Sequence, residues 1–127
     1  MTENEIGAIV VDAAVHLHME LGPGLLEHVY EVVLAHKLEE RGLHVERQVA
    51  VPIVYHGVEL EEAFRADMIV EDKVILELKS VEHVTKTYSK QVLTYLRLTD
   101  RKLGYLLNFG EFLMKDGITR ILNGECE

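Results

Sequence analysis

The sequence contains a single cysteine, Cys126, two prolines and no tryptophan in 127 residues. One cysteine excludes an intramolecular disulfide and any zinc site that is built from several thiolates. Because no disulfide framework points to an oxidising compartment, we expect the protein to be cytoplasmic.

Long hydrophobic runs are also missing. No stretch approaches the roughly 20 apolar residues that a membrane-spanning helix needs. The longest early apolar run, from Ile6 to Val15, is interrupted by Asp12 and is not preceded by basic residues. It therefore predicts neither a signal peptide nor a membrane anchor, and no membrane partner is expected.

Positive charge is scarce as well, with 13 basic against 22 acidic residues and a formal net charge of −9. Nucleic acids and anionic lipids repel a net-negative protein at long range. The local cluster of positive charge consists of Lys86, Lys90, Arg97, Arg101 and Lys102. Binding to a phosphate backbone would therefore depend on this basic cluster and not on the overall field.

Length and hydrophobic content are those of one globular domain, since 48% of the 127 residues are hydrophobic and 28% are charged. No linker, repeat or low-complexity segment divides the chain, so residues 1–127 are predicted to form a single domain. Hydrophobic periodicity distinguishes the helices from the strands. The predicted order is helices at 5–21 and 25–41, strands at 45–55, 61–70 and 73–80, a helix at 85–98, and strands at 103–109 and 117–122.

The first two helices are predicted to bury one face each, because apolar residues recur in them every three to four positions. The face of the first helix comprises Ile6, Ile9, Val10, Ala13 and Leu17. The face of the second comprises Leu26, Val29, Val33 and the run from Ala35 to Leu38. Gly22-Pro23-Gly24 separates the two helices, since proline cannot continue the hydrogen-bond ladder.

The residues that are informative about chemistry lie on the second and third predicted strands. Glu77 and Lys79 are two positions apart, so their side chains project from the same face of the sheet. Asp67 lies on the preceding strand, and hairpin geometry allows its carboxylate to approach that of Glu77. Two carboxylates and a lysine among apolar residues are costly to bury, and Mg²⁺ or Mn²⁺, which prefer oxygen ligands, would offset that cost.

The same three residues have a plainer interpretation. Glu77 and Lys79 are compatible with a salt bridge on a solvated sheet face, and Asp67 with a polar residue of the hairpin. An acid followed about ten residues later by Glu-x-Lys also arises by chance, so the pattern alone leaves both interpretations open.

Three further residues also have both a structural and a functional interpretation. Glu27 lies in the first turn of the second helix, where an acid stabilises the helix dipole. Gln91 and Tyr95 are four residues apart on the third helix and therefore share a face. This face is compatible with an exposed glutamine beside a half-buried tyrosine, and equally with the lining of a site.

Together, these residues resemble the PD-(D/E)XK nuclease superfamily. Asp67 followed by Glu77 to Lys79 matches its acids and lysine on successive core strands, although Ala66 stands where the superfamily's name has proline. The stretch from Gly24 to Tyr30 matches the Gly-x-x-Glu-x-x-Tyr signature of the GxxExxY family. Residues Gln91 to Tyr95 are similar to the Gln-x-x-x-Tyr element of the RecB-like branch. The resemblance extends over nearly the whole chain.

The resemblance implies an α/β fold with a restriction-endonuclease-like core, in which helices flank a central mixed sheet in the order α-β-β-β-α-β. It also implies Mg²⁺ or Mn²⁺ as the cofactor. The implied metal ligands are Asp67, Glu77, the main-chain carbonyl of Leu78 and Glu27, and Glu27 is alternatively a general base. Lys79 is implied to orient the attacking water or stabilise the phosphate, and Gln91 and Tyr95 to position the phosphate or Lys79.

The implied reaction is metal-assisted hydrolysis of phosphodiester bonds, with DNA favoured over RNA as the partner. Two alternatives stay open: a non-catalytic binding or assembly module that keeps the fold, and a metal-dependent hydrolase of a small nucleotide. A homodimer is compatible with cutting both strands of a duplex, although no residue pattern marks the interface.

Overall fold

The computed structural model describes residues 1–126. Its elements are α1 (Glu3–Leu21), α2 (Glu27–Glu40), β1 (Val45–Tyr55), β2 (Val58–Val70), β3 (Val74–Lys79), α3 (Lys86–Leu98), β4 (Leu103–Asn108), a short 3-10 helix (Met114–Gly117) and β5 (Ile118–Leu122). These elements follow the predicted order with ends that differ by a few residues, and the 3-10 helix is the element that was not predicted. None of the helices in residues 1–126 has the length and apolar character needed to cross a membrane.

The five strands form one mixed sheet in the order β1-β2-β3-β4-β5. β3 and β4 are parallel, and the other neighbouring strands are antiparallel. Two parallel strands need a crossover connection, which α3 provides here. The expected mixed sheet is confirmed.

Helices cover both faces of this sheet, with α1 and α2 on one face and α3 on the other. The α1–α2 side buries Leu76 and Leu78 of β3, whereas the α3 side buries Ile75. Because side chains alternate along a strand, Glu77 and Lys79 lie on the α3 side of the sheet.

The predicted buried face of α1 is confirmed at four of its five positions. Ile6, Val10, Ala13 and Leu17 are fully buried. Ile9, at the edge of this face, is only partly buried against the same core. The spacing of these apolar residues by three, four and seven positions predicted this face from the sequence.

The predicted face of α2 is wrong at Leu26 and at His36, which are both exposed, whereas Val33 is partly buried against the core. Leu26 is 76% exposed, and the buried residues of α2 are instead Tyr30, Glu31, Leu34, Ala35 and Leu38. The reason lies in the Tyr30 ring, which stacks on Phe109 with 4.5 Å between ring centroids. That contact directs the Tyr30 side of α2 towards the sheet, and the next residue, Glu31, is buried together with it.

Candidate active site

β2 and β3 separate at the level of Asp67 and Glu77. Their antiparallel ladder is regular where residues 68–70 pair with residues 74–76. Beyond that ladder, the Asp67 N–H donates to Glu77 Oε1 at 3.2 Å, and the Leu78 N–H donates to Asp67 Oδ2 at 2.9 Å. Side-chain carboxylates therefore accept the N–H groups at the point where the strands part.

The pairing between β1 and β2 is interrupted at the same level. Gln48 and Asp67 stand opposite each other, yet they do not pair, although the positions on either side keep their register. Gln48 has a φ of 50°, in the left-handed region that non-glycine residues seldom occupy. Ala66 packs on the α3 side and Met68 on the α1–α2 side. Residues two apart on a strand normally point to the same face of the sheet, so the alternation of side chains along β2 is reversed at Asp67.

The two carboxyl groups are partly buried, and the positive charge nearby is too small to offset the loss of water around them. Burial raises the pKa of Asp67 above its ordinary value, and the charge of Glu31 adds to the effect. Burial and then the charge of Asp67 raise the pKa of Glu77 to about 8. Lys79 lowers both pKa values, but less than burial raises them. A cation between the two acids would relieve this conflict.

Aromatic residues of α3 lie over the lysine and the acids. Lys79 Nζ is 4.6 Å from the centroid of the Tyr88 ring, a cation–π contact. The Tyr95 ring stacks on Phe64 with 3.8 Å between centroids and an angle of 5°. Burial raises the pKa of the Tyr95 hydroxyl, and the charges of the two carboxylates raise it further. Tyr95 therefore faces the acids, and Tyr88, which was not among the predicted site residues, lies over Lys79.

Gln91 and Glu27 lie farther out. Gln91 is exposed on α3, one helical turn from both Tyr88 and Tyr95. Glu27 is exposed at the first position of α2. It lines a cavity of about 440 Å³ together with Pro23, Gly24, Leu25, Leu26, Ser80, Val81, Glu82 and Gly110. Within residues 1–126, no hydrogen bond or ion pair joins Glu27 to the two buried carboxylates.

The acid of α2 that lies beside Asp67 is Glu31, which sequence analysis missed. Its side chain is 7% exposed and accepts hydrogen bonds from Arg47 and from Gln48. Gln48 Nε2 is also 3.5 Å from Asp67 Oδ1. The spacing held a signal for this residue, because Glu31 follows Glu27 by one helical turn and shares its side of the helix.

Tyr30, the last residue of the Gly-x-x-Glu-x-x-Tyr stretch, organises the loop before α2. Its hydroxyl donates to the Gly22 carbonyl at 2.5 Å and accepts from the Leu25 N–H at 3.1 Å. Gly24 has a φ of 97°, which glycine adopts without steric cost. The outer residues of the stretch therefore shape the loop that places Glu27 at the start of α2.

The loop that follows β3 is fixed to β4 and to the loop before α2. Asn108 is fully buried, and its Oδ1 accepts from the Val81 and Gly110 N–H groups while its Nδ2 donates to the Val81 carbonyl. A Cβ atom at Gly110 would lie 2.2 Å from the Val81 carbonyl oxygen. On the other side, Ser80 Oγ donates to the Leu25 carbonyl at 2.6 Å. The chain directly after Lys79 thus has a defined position.

The basic cluster divides into two parts. Lys86, Lys90 and Arg97 are exposed, and their spacing of four and seven residues places them in one row along α3. In the part of the chain that the structure describes, none of these three forms an ion pair. Arg101 instead binds Asp72 at 2.5 Å. Lys102, beyond the end of α3, is exposed and forms no ion pair within the described residues, so the uncompensated positive charge of the cluster lies along α3 and at Lys102.

The donors at the separation of β2 and β3 fit a magnesium or manganese ion. Two carboxylates and the main-chain carbonyl of Leu78 are oxygen donors, and these cations retain several waters besides a few protein ligands. No set of three or more His, Cys, Asp or Glu side chains in residues 1–126 is arranged as a metal site. A cation here would thus rely on the two acids, the carbonyl and water.

Comparison with known proteins supplies a family. A family model described as the PD-(D/E)XK nuclease superfamily matches residues 4–121, a range that contains every candidate residue named above. No curated protein and no solved structure gives a significant match. The match thus agrees with the resemblance drawn from the acids and the lysine.

Proposed function

The chain belongs to the PD-(D/E)XK nuclease superfamily, and from this membership we propose that it hydrolyses phosphodiester bonds of DNA with Mg²⁺ or Mn²⁺ as cofactor. Its mixed sheet with helices on both faces is the restriction-endonuclease-like α/β fold. The observation that carries the proposal is the meeting of Asp67, Glu77 and Lys79 where β2 and β3 separate.

In the proposed site, Asp67, Glu77 and the Leu78 carbonyl hold the cation. When bound, such a cation acts as a Lewis acid on the phosphate and lowers the pKa of a bound water. Lys79 orients the attacking water or stabilises the negative charge that develops on the phosphate. The Tyr88 ring helps to hold the Lys79 ammonium group in place, because a cation is attracted to an aromatic face.

Three further residues act around this centre. Tyr95 and Gln91 position the phosphate or Lys79 from α3, a role that the raised pKa of the Tyr95 hydroxyl beside the acids supports. Glu27 acts as a further metal ligand or as a general base. Its place on the wall of the cavity that Ser80 and Val81 also line, directly after Lys79, supports this role.

Superfamily membership supports a nucleic acid as the substrate, and we propose DNA. The row of Lys86, Lys90 and Arg97 supplies positive charge along the solvent side of α3, the helix whose other side carries Tyr88 and Tyr95, despite the net charge of −9. Binding through so few phosphate contacts is expected to be weak and to weaken further with added salt, with a modest slope because the salt dependence scales with the number of contacts. Light scattering tests the associated expectation of a homodimer, which would present two sites to a duplex.

Two finer assignments belong to the same proposal. We assign the chain to the GxxExxY family on Gly24, Glu27 and Tyr30, and to the RecB-like branch on Gln91 and Tyr95. The hydrogen bonds from Tyr30 to the loop before α2 support the first assignment, because they give the outer residues of the signature a structural reason. We also propose that the protein acts in the cytoplasm.

The deciding experiment incubates the protein with single- and double-stranded DNA and RNA, with Mg²⁺, Mn²⁺ or a chelator. We expect wild type to cleave DNA only with metal, and Lys79→Ala to be slower by about 10²–10³-fold. Lys73→Ala is the matched control. Lys73 is an exposed lysine in the turn directly before β3, and its side chain donates to the Met1 carbonyl.

Each other outcome has a defined meaning. If wild type and Lys79→Ala behave identically on all substrates, the enzymatic proposal is wrong and a binding or assembly module takes its place. Cleavage of RNA alone would support nuclease activity and would show that the proposed DNA substrate is wrong. Hydrolysis of mononucleotides alone favours a hydrolase of small nucleotides.

A further inference from the structure

Gln48 places one side-chain amide between two acids. Its Nε2 is 2.6 Å from Glu31 Oε1 and 3.5 Å from Asp67 Oδ1. A glutamine amide nitrogen carries two N–H groups, so a single side chain can donate to both carboxylates. Two like charges that would otherwise repel each other thus share a donor.

Glu31 gives this amide a fixed partner. Arg47 donates to Glu31 Oε2 through both Nε, at 3.1 Å, and Nη2, at 2.8 Å. The Glu31 side chain is only 7% exposed, and a carboxylate that is so far removed from water requires paired hydrogen bonds. The ion pair therefore orients the other oxygen of Glu31 towards Gln48.

The backbone of Gln48 makes the arrangement possible. In a regular strand, neighbouring side chains point to opposite faces, so Arg47 and Gln48 would not reach the same acid. The left-handed φ of 50° at Gln48 removes that alternation. Arg65 Nη1 donates to the Gln48 carbonyl at 2.9 Å and supports the irregular backbone from β2.

We infer that Gln48 is a positioning residue for the Asp67 carboxylate, held in turn by the Glu31–Arg47 ion pair. With Oδ1 facing the Gln48 amide, Asp67 presents Oδ2 to the Leu78 N–H at 2.9 Å. The inference rests on the proposed function, in which Asp67 is a metal ligand. Residues that orient a metal ligand typically change metal affinity or activity by about 10–100-fold when they are replaced.

The test replaces Gln48 by glycine, which adopts a φ of 50° without strain and so removes the side chain while keeping the backbone. Leu78 amide hydrogen exchange, measured without metal, is expected to accelerate severalfold in Gln48→Gly because the bond to Asp67 opens more often. Affinity for Mn²⁺, measured by calorimetry, is expected to fall about tenfold. Urea unfolding confirms that the variant is folded.

Glu62→Gln is the matched control. It weakens an exposed ion pair with Arg65 on β2, close to the same irregular backbone, without touching the Gln48 side chain. We expect Leu78 exchange and Mn²⁺ affinity to match wild type in this variant. Gln48→Asn keeps an amide and tolerates the left-handed backbone but is one methylene shorter, so it should resemble Gln48→Gly.

The two readouts separate this inference from the proposed function. Unchanged Leu78 exchange in Gln48→Gly overturns the inference, whatever happens to Mn²⁺ binding. If Leu78 exchanges faster in Gln48→Gly but wild type binds no Mn²⁺, Gln48 still positions Asp67. The metal site of the proposed function is then refuted. Faster exchange with weaker Mn²⁺ binding supports both.

Discussion

The two halves of the β2–β3 hairpin are built from the same two strands but differ in what holds them together. Residues 68–70 and 74–76 form a regular main-chain ladder, and all six side chains are buried and apolar. At the next position on each strand, Asp67 and Glu77, the strands part and carboxylates accept the N–H groups. The ladder half gains free energy from burial, whereas the separated half holds two acids with raised pKa values.

The comparison indicates that the residues that stabilise the fold and the two acids of the candidate site are adjacent on the same strands but are different residues. A buried carboxyl group with a raised pKa is less favourable in the folded protein than in the unfolded chain once it is ionised. The adjacent apolar ladder offsets that cost and fixes the strands at the point where they part. Substitutions in the two halves should therefore have opposite signatures.

The largest expected effect is the loss of hydrolysis in Asp67→Asn. Asparagine keeps an oxygen for the Leu78 N–H but removes the charge, so DNA cleavage should fall about a thousandfold. The free energy of unfolding should stay constant or rise, because a buried charge has been removed. Single-turnover cleavage and urea unfolding measure the two quantities. A loss of stability above about 1 kcal/mol would show that the separated half also holds the fold together.

Leu76→Ala should give the reverse signature. Leu76 is fully buried in the ladder half, and truncation to alanine in such a site costs about 3 kcal/mol of unfolding free energy. Cleavage should remain within about threefold of wild type at a temperature where the variant is folded, a change of less than about 1 kcal/mol in the barrier. Thermal unfolding and cleavage at low temperature measure this. An inactive but fully folded variant would contradict the division between the two halves.

The third effect is a smaller one and concerns pH. Because the pKa of Glu77 is about 8 in the folded protein against an ordinary 4.5, the folded protein holds a proton between these pH values that the unfolded chain has lost. The free energy of unfolding therefore falls as pH rises through this window. The difference between 4.5 and about 8 corresponds to at most about 5 kcal/mol. Because Glu77 is only partly buried, solvent screening reduces this cost, and wild type should lose roughly 2 kcal/mol across the window relative to Glu77→Gln.

Urea unfolding at several pH values, without metal, measures that difference. Added Mg²⁺ should reduce it, because a bound cation favours the ionised carboxylate. Parallel pH profiles for wild type and Glu77→Gln would show that Glu77 titrates normally. The ionised acid pair would then be no less favourable for the free energy of folding than the apolar ladder beside it.

Much of the fold follows from local patterns. The apolar spacing of α1 predicts its buried face, and strand alternation places Glu77 and Lys79 together on one side of β3. The hairpin argument brings Asp67 next to Glu77 because only a short turn separates their strands. In each case the signal lies within about ten residues, where chain connectivity leaves few alternatives.

The rest depends on contacts between distant residues. Nothing in the apolar pattern of α2 marks Glu31 as buried, because its partners Arg47 and Gln48 come from β1. Glutamine is also not among the residues enriched at positive φ, so the sequence does not predict the left-handed conformation of Gln48. Tyr30 turns α2 through its contact with Phe109, which lies beyond β4.

Asn108 has a consequence for how substrate would meet the site. Its side chain binds both the N–H and the carbonyl of Val81, 27 residues earlier in the chain, as a neighbouring strand would. The segment after Lys79 therefore loses its conformational freedom when the protein folds. Ligand binding at a group already held in this way carries little further entropy loss, which is the benefit of preorganisation. In the proposed site, a buried amide on β4 thus holds the backbone that follows Lys79 before any substrate arrives.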